Sequence, residues 1–461
     1  MLKRLLFWFL LISYTNLPNA QSADKLKPRM IVLTDVSTWE TDDSESLVRL
    51  MVHLDLIEVE GLVFTTGWSM GETRDDFMGL IHKVVDAYEK DLSNLRKLSK
   101  QTEHLENENQ QPMGYWPSPD YLRDRTVYGS KKRGAKFLGE GNDSPGSQLI
   151  INLADEDDDR PLWISIWGGG NTLAQAIWRV KQERNESDFR KFLRKLRVYA
   201  ITDQDRDQKT PYSDSSHLGL RRDFNEDLFF LWDECAWKFQ NGTGRKNWSN
   251  YETHIQGHGN LGTEYPKYKY GVEGDTPAFL HLLPIGLNDP EIATHGGWGG
   301  YFEWTKSEDN ETHCYTNSGA QTYQKCLQLE EHFYAAIFNS FAARMDWAKY
   351  GEGNRNPSVE IENDPSTKIL KMTPQVGQRL HVDASGSKDP DGDALRFKWW
   401  VLTAAGTYDH EVKILGDDQE KATILIPIDS HGETIHVICE VTDNGTHNLT
   451  SYRRIIIEPR D

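Results

Sequence analysis

The sequence lacks the features that mark several common classes of protein. No segment after the N-terminal one approaches the length of a transmembrane helix. The four cysteines do not occur with the paired CxxC spacing of a zinc site. Acidic residues outnumber basic ones by 71 to 52, and a formal charge of -19 opposes binding to the phosphates of nucleic acid. These absences exclude a multi-span membrane protein and argue against a nucleic-acid partner.

The N-terminus has the pattern of a secretory signal peptide. Lys3 and Arg4 precede the apolar run Leu5–Ile12, and the small residues Ala20 and Ala23 follow it. The apolar run is too short to span a bilayer and lies where the hydrophobic part of a signal peptide is found. We therefore expect residues 1–23 to be removed and the mature protein to be secreted or periplasmic, with no membrane association after processing.

Export would place the protein in an oxidising compartment, where cysteines form disulfides. Cys314 and Cys326 are close enough in sequence to close a short loop, so we predict a disulfide between them. Asn241 begins one of several Asn-x-Ser/Thr triplets, which accept glycans in a eukaryotic host but also arise by chance.

The stretch Met30–Leu50 combines a predicted strand, an acidic loop and a predicted helix. Residues 30–34 are apolar and β-branched, and residues 44–53 have helical apolar spacing. The loop between them carries four carboxylates within nine positions: Asp35, Glu40, Asp42 and Asp43. Carboxylates this close repel one another unless a cation such as Ca²⁺, solvent or raised pKa values relieve them. The alternative is a solvated acidic loop whose aspartates cap the helix.

Three later predicted strands also end in polar or glycine-rich loops. They are residues 57–66, followed by Gly67 and Trp68; residues 161–167, followed by the loop Gly168–Thr172; and residues 196–202, followed by Asp203 and Asp205. Strands alternating with helices predict a parallel α/β sheet, in which these loops share the edge where ligands bind. The glycine loop lacks the spacing of a P-loop or a dinucleotide fingerprint, so phosphate binding is not expected.

The rest of the chain predicts a second, all-β domain. Asp223 and Asn225 precede an aromatic run, Asp275 opens an apolar helix, and Trp298 lies in a glycine-rich loop. A long helix is predicted to end at residue 350. From residue 358 the pattern becomes period-two, as in an antiparallel immunoglobulin-like sandwich. We predict an α/β domain at 24–350, a linker at 351–357 and a β-sandwich at 358–461.

Together these motifs resemble a known family. The acidic loop, the later WGGGNTLAQA, DQD, EGDTPAFL, GLNDP and GGWGG, and a sandwich with DASGSKDPDGD are similar to exported cellulose-binding, nucleoside-hydrolase-like proteins. The resemblance covers the chain from about residue 27 to the C-terminus. It implies an α/β fold with a mostly parallel sheet of nucleoside-hydrolase type, flanked by helices.

The resemblance assigns a role to each residue of the expected site. Asp35 matches the nucleoside hydrolase aspartate that binds Ca²⁺ and acts as general base on water. Asp42 and Asp43 match the paired aspartates, the first facing the sugar hydroxyls and the second the metal. Asn171 matches the residue whose backbone carbonyl coordinates Ca²⁺, and Asp275 matches the last carboxylate ligand.

Further residues are expected to bind the sugar. Asp223 and Asn225 resemble the acid and amide that hold it, and Asp203 and Asp205 deliver polar groups to the same edge of the sheet. Trp68 and Trp298 are expected to offer stacking surfaces, because sugar rings often stack on exposed aromatic side chains.

The chain also departs from the nucleoside hydrolase pattern. The first aspartate of the opening motif is Leu33 here, and the segment from Asp35 to Asp42 is three residues longer. The histidine that helps the base leave is Gly274, for which His281 or His295 are possible substitutes.

Two functions are consistent with the sequence. The first is an exported Ca²⁺-dependent hydrolase, with Asp35 as general base, that cleaves an N- or O-glycosidic bond of a carbohydrate or nucleoside-like small molecule. The second is a non-catalytic protein on the same fold that binds cellulose or another polysaccharide.

Overall fold

The structure is a computed structural model that describes residues 26–68, 70–202, 211, 214–306 and 312–461, with the side chain of Leu218 excepted. The predicted signal peptide, Asp203 and Asp205 lie outside the described residues. Within the described ranges, no helix has both the length and the apolar character needed to cross a membrane.

The first part of the chain is an α/β domain that ends with a long helix. Its strands are β1 (Arg29–Thr34), β2 (Glu58–Phe64), β3 (Thr126–Tyr128), β4 (Leu162–Ile166), β5 (Leu196–Ile201), β6 (Phe229–Asp233), β7 (Glu303–Lys306) and β8 (His313–Thr316). Its helices are α1 (Asp42–Met51), α2 (Asp75–Ser99), α3 (Pro119–Asp124), α4 (Pro145–Ala154), α5 (Asn171–Glu183), α6 (Glu186–Lys195), α7 (Ser216–Asp223), α8 (Ala236–Lys246), α9 (Trp248–His254), α10 (Gly259–Glu264), α11 (Pro277–Leu280) and α12 (Ala320–Tyr350).

The eight strands form one mostly parallel sheet in the order β3-β2-β1-β4-β5-β6-β8-β7. Every neighbouring pair is parallel except β7 with β8, which form an antiparallel edge. From β1, strands β2 and β3 follow toward one edge of the sheet, and from β4, strands β5, β6, β8 and β7 follow toward the other edge. The predicted α/β fold with a mostly parallel sheet is confirmed, and the junction of β1 and β4 is its topological switch point.

The sheet is buried on both faces because successive side chains of a strand point to opposite sides. Met30 and Val32 pack into a core that includes α1, α2 and α12, whereas Ile31 and Leu33 pack into a second core with α4 and α5. Burying an aliphatic side chain of this size contributes roughly 1.5–3 kcal/mol. Two-sided burial therefore fixes β1, and with it the position of the loop that follows.

The C-terminal part, residues 358–461, forms the predicted antiparallel β structure. Its strands are β9 (Leu370–Met372), β10 (Arg379–Asp383), β11 (Arg396–Val401), β12 (Ile414–Leu415), β13 (Lys421–Leu425), β14 (Ile435–Thr442) and β15 (Thr450–Ile457). They make a three-stranded sheet, β10-β13-β12, and a four-stranded sheet, β11-β14-β15-β9, around a separate hydrophobic core. Only β9, which is parallel to β15, departs from the antiparallel pattern.

The C-terminal domain is joined to the α/β domain by buried polar contacts. Arg454 of β15 is fully buried and donates to the carbonyls of Leu287, His295 and Gly296 at 2.7, 2.8 and 2.6 Å. His447 pairs with Asp346 of α12 at 2.9 Å. Removal of a charged donor from buried carbonyl groups costs free energy, so these contacts hold the two domains together at this surface.

The predicted disulfide between Cys314 and Cys326 is wrong, because these two thiols lie on opposite faces of the sheet. All four cysteines are buried thiols outside any disulfide. Cys314 belongs to the core that contains α4 and α5, whereas Cys326 belongs to the opposite core. Cys326 has Cys235 as its thiol neighbour instead.

Candidate metal centre

The acidic loop begins where the strand order of the sheet reverses. Asp35 directly follows β1, and the glycine loop directly follows β4, its neighbour. The amide of Gly168 donates to Leu33 O at 3.0 Å, and Thr65 N after β2 donates to Thr34 O at 2.8 Å. The carboxyl ends of three adjacent strands are thereby joined, and ligands bind at such an edge in open α/β sheets.

Asp35 lies in a gap that two glycines keep open. A Cβ built on Gly67, after β2, would lie 1.9 Å from Asp35 Oδ2, and a Cβ on Gly168, after β4, would lie 2.9 Å from Asp35 Cβ. Neither glycine needs a left-handed backbone, so each is required for space alone. Glycine next to a functional group commonly marks such a close approach.

Three carboxylates from distant segments meet at this edge. Asp42 and Asp43 begin α1, and Asp275 precedes α11 by two residues. Each offers one oxygen that lies within 4.8 Å of those of the other two, and all three residues are buried. Asp43 also accepts a hydrogen bond from the Thr34 hydroxyl at the end of β1. Asp43 and Asp275, which the resemblance assigns to one metal site, lie close together although they are over two hundred residues apart in the sequence.

The local electrostatics favour a bound cation. Burial, and then the negative charges of neighbouring carboxylates, raise the pKa values of Asp35, Asp42 and Asp275 well above the ordinary range. Burial raises the pKa of Asp43 to about 7, although the hydrogen bond from Thr34 opposes that shift. Buried like charges of this kind either hold protons or bind a cation.

Two carboxylate oxygens of the cluster have no partner among the described residues. Asp42 Oδ1 and Asp275 Oδ2 are buried and accept no hydrogen bond. The side-chain oxygen of Asn241, on α8, is buried and unpartnered as well, and it lies near both Gly274 and the cluster. A buried polar atom without a partner is costly, so these oxygens are suited to coordinate a hard cation.

Gly274 leaves no space for the histidine of the nucleoside hydrolases. A Cβ at this position would lie 2.7 Å from Asp42 Oδ2 and 3.0 Å from the side-chain amide of Asn241. The two possible substitutes lie elsewhere. His281 is buried against Trp163, Tyr199 and Phe302 in the core. His295 pairs with Asp289 at 2.8 Å and contacts His436 of the C-terminal domain edge-on.

The extended loop between Asp35 and Asp42 is held by a distant segment. The backbone amide of Lys269 donates to Thr41 Oγ1 at 2.8 Å, and its ammonium group donates to Thr38 O. Trp39, between them, packs edge-on against Phe77 of α2, with ring centroids 5.2 Å apart. Contacts on both sides therefore hold this loop in place. The alternative of a solvated acidic loop that only caps the helix does not describe it.

Asn171, the proposed carbonyl ligand, is the first residue of α5. Its side-chain amide exchanges two hydrogen bonds with the backbone of Gly134, at 2.8 and 2.9 Å, and so fixes the start of the helix. Asp35 is not part of the group of three converging carboxylates, and the metal-binding roles assigned by resemblance to Asp35 and to the Asn171 carbonyl stay predictions.

Three of the predicted sugar-binding residues do not lie at this site. Asp223 ends α7, is exposed and pairs with Arg222, and Asn225 lies before β6, at the amino edge of the sheet. Trp298 is buried and packs against Tyr452 of the C-terminal domain, with ring centroids 5.9 Å apart, so it offers no stacking surface. The sugar-binding roles predicted for Asp223, Asn225 and Trp298 are therefore wrong. Trp68, which is 40% exposed, follows β2 at the carboxyl edge of the sheet.

Sequence reasoning missed the contacts of Asn241 and Trp39. Asn241 was interpreted as part of a glycosylation triplet, yet its amide faces inward between Gly271 and Gly274. No local pattern reveals this contact, because α8 reaches the site only through the packing of the fold. For Trp39 there was a signal, since it lies in the segment from Asp35 to Asp42, which is three residues longer than in the nucleoside hydrolase motif.

Two family models match the chain. One, described as cellulose-binding Sde182, nucleoside hydrolase-like domain, matches residues 29–302. The other, described as cellulose-binding protein Sde0182, C-terminal domain, matches residues 379–459. No curated protein matches the chain.

Solved structures extend this comparison. A nucleoside hydrolase-related hypothetical protein from Saccharophagus degradans, described as associated with carbohydrate metabolism, is 34% identical, with 94% of this chain and 100% of that chain covered and a TM-score of 0.81. The type III effector XopQ, solved with adenosine diphosphate ribose, is 10% identical over 71% of this chain and 94% of its own, with a TM-score of 0.31. The second similarity is too weak to relate the two folds.

The fold and the site define a nucleoside hydrolase-like α/β protein with an acidic cluster at the switch point of its sheet and an all-β C-terminal domain. The chain belongs to the Sde182 family of cellulose-binding, nucleoside hydrolase-like proteins.

Proposed function

We propose that the protein is an exported Ca²⁺-dependent hydrolase that cleaves a glycosidic bond of a carbohydrate. One observation carries the proposal: Asp42, Asp43 and Asp275 converge within 4.8 Å in a buried site, and two of their oxygens have no partner among the described residues. All donors in the group are carboxylates. Oxygen donors without histidine or cysteine suit a hard cation such as Ca²⁺ better than zinc.

The residues present fit this ion. Asp43 and Asp275 would hold it, with Asp35 and the carbonyl of Asn171 completing the set that the family resemblance implies. When bound, Ca²⁺ supplies positive charge that offsets the buried carboxylates and orients sugar hydroxyls. Asp42 has one oxygen without a partner, and we assign it to the sugar hydroxyls.

Asp35 is the proposed general base. Its carboxylate lies between Gly67 and Gly168, and burial, followed by neighbouring negative charges, raises its pKa well above the ordinary range. A carboxylate with a raised pKa is a stronger base when it is ionised, so this environment supports removal of a proton from an attacking water. The surrounding carboxylates would stabilise positive charge that develops on the sugar ring.

The family supports a carbohydrate as the partner. Its members are described as cellulose-binding, and the 34% identical relative is described as associated with carbohydrate metabolism. The buried acidic cluster repels phosphate, which makes a neutral sugar compound a better substrate than a nucleotide.

Titration of Ca²⁺ into EDTA-treated protein tests the metal site. We expect one tightly bound ion in wild type and at least a hundredfold weaker binding in Asp43→Asn and Asp275→Asn. Asp223→Asn is the matched control, because Asp223 is an exposed aspartate outside the site, and it should bind Ca²⁺ as wild type does. Unchanged binding in both site variants would remove the metal-assisted mechanism.

Turnover is then measured with nucleosides and with aryl glycosides. Asp35→Asn should lose hydrolysis while it keeps its fold, as judged by thermal unfolding. A wild-type protein that hydrolyses none of these substrates would contradict the enzymatic proposal.

Gly274 favours a second function, non-catalytic binding of cellulose or a related glycan. The space that a histidine would need to protonate a leaving group is filled by Asp42 and Asn241. Binding of cello-oligosaccharides without release of reducing sugar, in protein saturated with Ca²⁺, would establish this alternative.

A further inference from the structure

Exposed aromatic side chains are concentrated around the acidic cluster. Among the described residues, five large aromatic side chains are exposed: Trp39, Trp68, Tyr270, Trp304 and Tyr350. The first three belong to segments that carry or adjoin residues of the metal centre, whereas the other two lie on β7 and at the end of α12. Singly exposed apolar side chains are ordinary on a protein surface, so the indication of a binding surface is that three of the five lie in segments next to the metal centre.

Trp39 is held in place at the mouth of the site. It lies in the loop between Asp35 and Asp42, and its indole is 43% exposed. Phe77 contacts one edge of the ring, and the Arg74 guanidinium lies 5.2 Å from its centroid. These contacts fix the orientation of the indole, which reduces the entropy lost when a ligand binds to its exposed part.

Trp68 approaches the site from the neighbouring strand. It follows Gly67, whose Cα lies against the Asp35 carboxylate, and its carbonyl accepts a hydrogen bond from Arg133 at 2.7 Å. The Arg133 side chain also donates to Gly67 O at 2.7 Å. The backbone that carries Trp68 is therefore fixed directly beside the proposed base.

Tyr270 comes from the third segment, which leads to Asp275. Its side chain is 77% exposed, and its backbone has φ of +69°, a left-handed conformation that bulky residues rarely adopt. Lys269, directly before it, is hydrogen-bonded to the loop that carries Trp39. A strained backbone that presents an exposed aromatic ring is characteristic of ligand-binding segments.

The chemistry of this surface selects a particular class of ligand. Flat aromatic faces stack on the apolar faces of pyranose rings, and the buried carboxylates between the three segments accept hydrogen bonds from hydroxyl groups. The same carboxylates repel anionic polymers. A neutral chain of sugars can contact several aromatic residues at once, whereas binding of a single nucleoside does not require several such contacts.

We propose that Trp39, Trp68 and Tyr270 form an aromatic rim that binds a neutral β-glucan chain across the acidic cluster. This inference rests on the proposed carbohydrate function and assigns contacts with the sugar chain to three residues outside the metal centre. The rim acts through binding alone, because its residues set affinity for the chain and are not ligands of the metal.

Isothermal titration with cellohexaose and laminarihexaose, in the presence of Ca²⁺, tests the rim on the full chain. Trp39→Ala, Trp68→Ala and Tyr270→Ala should each weaken binding of the preferred oligosaccharide by about tenfold, or raise KM by that factor if it is hydrolysed. Trp304→Ala and Tyr350→Ala are matched controls that remove exposed aromatic rings elsewhere, and they should bind as wild type does. Trp39→Phe keeps an aromatic face and should recover part of the affinity.

Ca²⁺ titration of the same variants separates this inference from the proposed function. Unchanged Ca²⁺ affinity with lost glucan binding supports the rim. Glucan binding equal to wild type in all three rim variants, or an equal loss in the two controls, would overturn it while the metal site stands. Wild-type protein that binds Ca²⁺ and adenosine but neither hexasaccharide would also overturn it, because the ligand would then be a single nucleoside.

Discussion

Substitution of Gly67 by alanine gives the sharpest test of the metal centre. The added Cβ would lie 1.9 Å from Asp35 Oδ2 and 2.1 Å from Asp35 Cγ, whereas ordinary contact begins at 3.4 Å. The carboxylate must therefore move by about 1.5 Å, or the β2 loop must shift by that distance. Metal–ligand distances tolerate deviations of only about 0.2 Å. Overpacking of this kind costs about 1–3 kcal/mol.

The assay combines Ca²⁺ titration with thermal unfolding in EDTA. Gly67→Ala should lower Ca²⁺ affinity at least tenfold and lower the melting temperature even without the ion. Gly71→Ala is the control, because it lies in the same loop and its Cβ would have its nearest neighbour at 3.8 Å. It should leave both properties unchanged.

A double variant identifies the cause of the destabilisation. In an Asp35→Gly background the added methyl group has no carboxylate to displace, so Gly67→Ala should cost much less stability there. Wild-type Ca²⁺ affinity in Gly67→Ala, or an equal destabilisation in both backgrounds, would refute the reasoning.

Three further predictions concern charge inside the fold. Burial and the charge of Asp233 raise the pKa of Glu330 to about 8. The native state therefore holds a proton that the unfolded state releases. The free energy of unfolding falls as the pH rises from about 4.5 to 8, by at most about 1.4 kcal/mol per pH unit. Glu330→Gln should therefore stabilise the protein at pH 8 and have little effect at pH 4.5 in denaturant titrations, whereas the exposed Glu331→Gln should show no such difference. Asp275→Asn should raise the melting temperature in EDTA, because it removes one repelling carboxyl group. It should also abolish the further rise in melting temperature that Ca²⁺ causes in wild type. A rise with Ca²⁺ that persists in this variant contradicts the role of Asp275 as a ligand. Arg454→Met should lower the free energy of unfolding by about 3 kcal/mol or more, because three buried carbonyls lose their charged donor, and a loss below 1 kcal/mol in the same titration would contradict that contribution.

The sequence predicted the central strands well because their signal is local. β1, β2, β4 and β5 are apolar runs bounded by polar or glycine-rich loops, and burial on both faces leaves few alternatives for such runs. β3 has only three residues, and β7 and β8 have half-exposed faces, so they carry too little pattern to be recognised. The aromatic residues before Asp233 form β6, which was noted only as an aromatic run.

From the sequence, only residues that directly follow a strand could be placed at the site. Asp35 and the loop after β4 could be placed together, since parallel strands bring their carboxyl ends to one edge. Asp223 and Asn225 could not be placed, because the order of motifs along the chain does not reveal at which edge of the sheet a segment lies. Trp298 shows a related difficulty: an aromatic residue in a glycine-rich loop has the same sequence pattern whether it is exposed or covered by another domain.

The contacts of Arg454 affect how this protein can be dissected. Removal of residues 358–461 would leave the carbonyls of Leu287, His295 and Gly296 without their donor and would expose the indole of Trp298. The loop that loses this support begins six residues after α11, the helix preceded by Asp275. A truncated α/β domain that neither binds nor hydrolyses a glycan would therefore report a damaged pocket, and the contribution of each domain is better assigned by single substitutions in the intact chain.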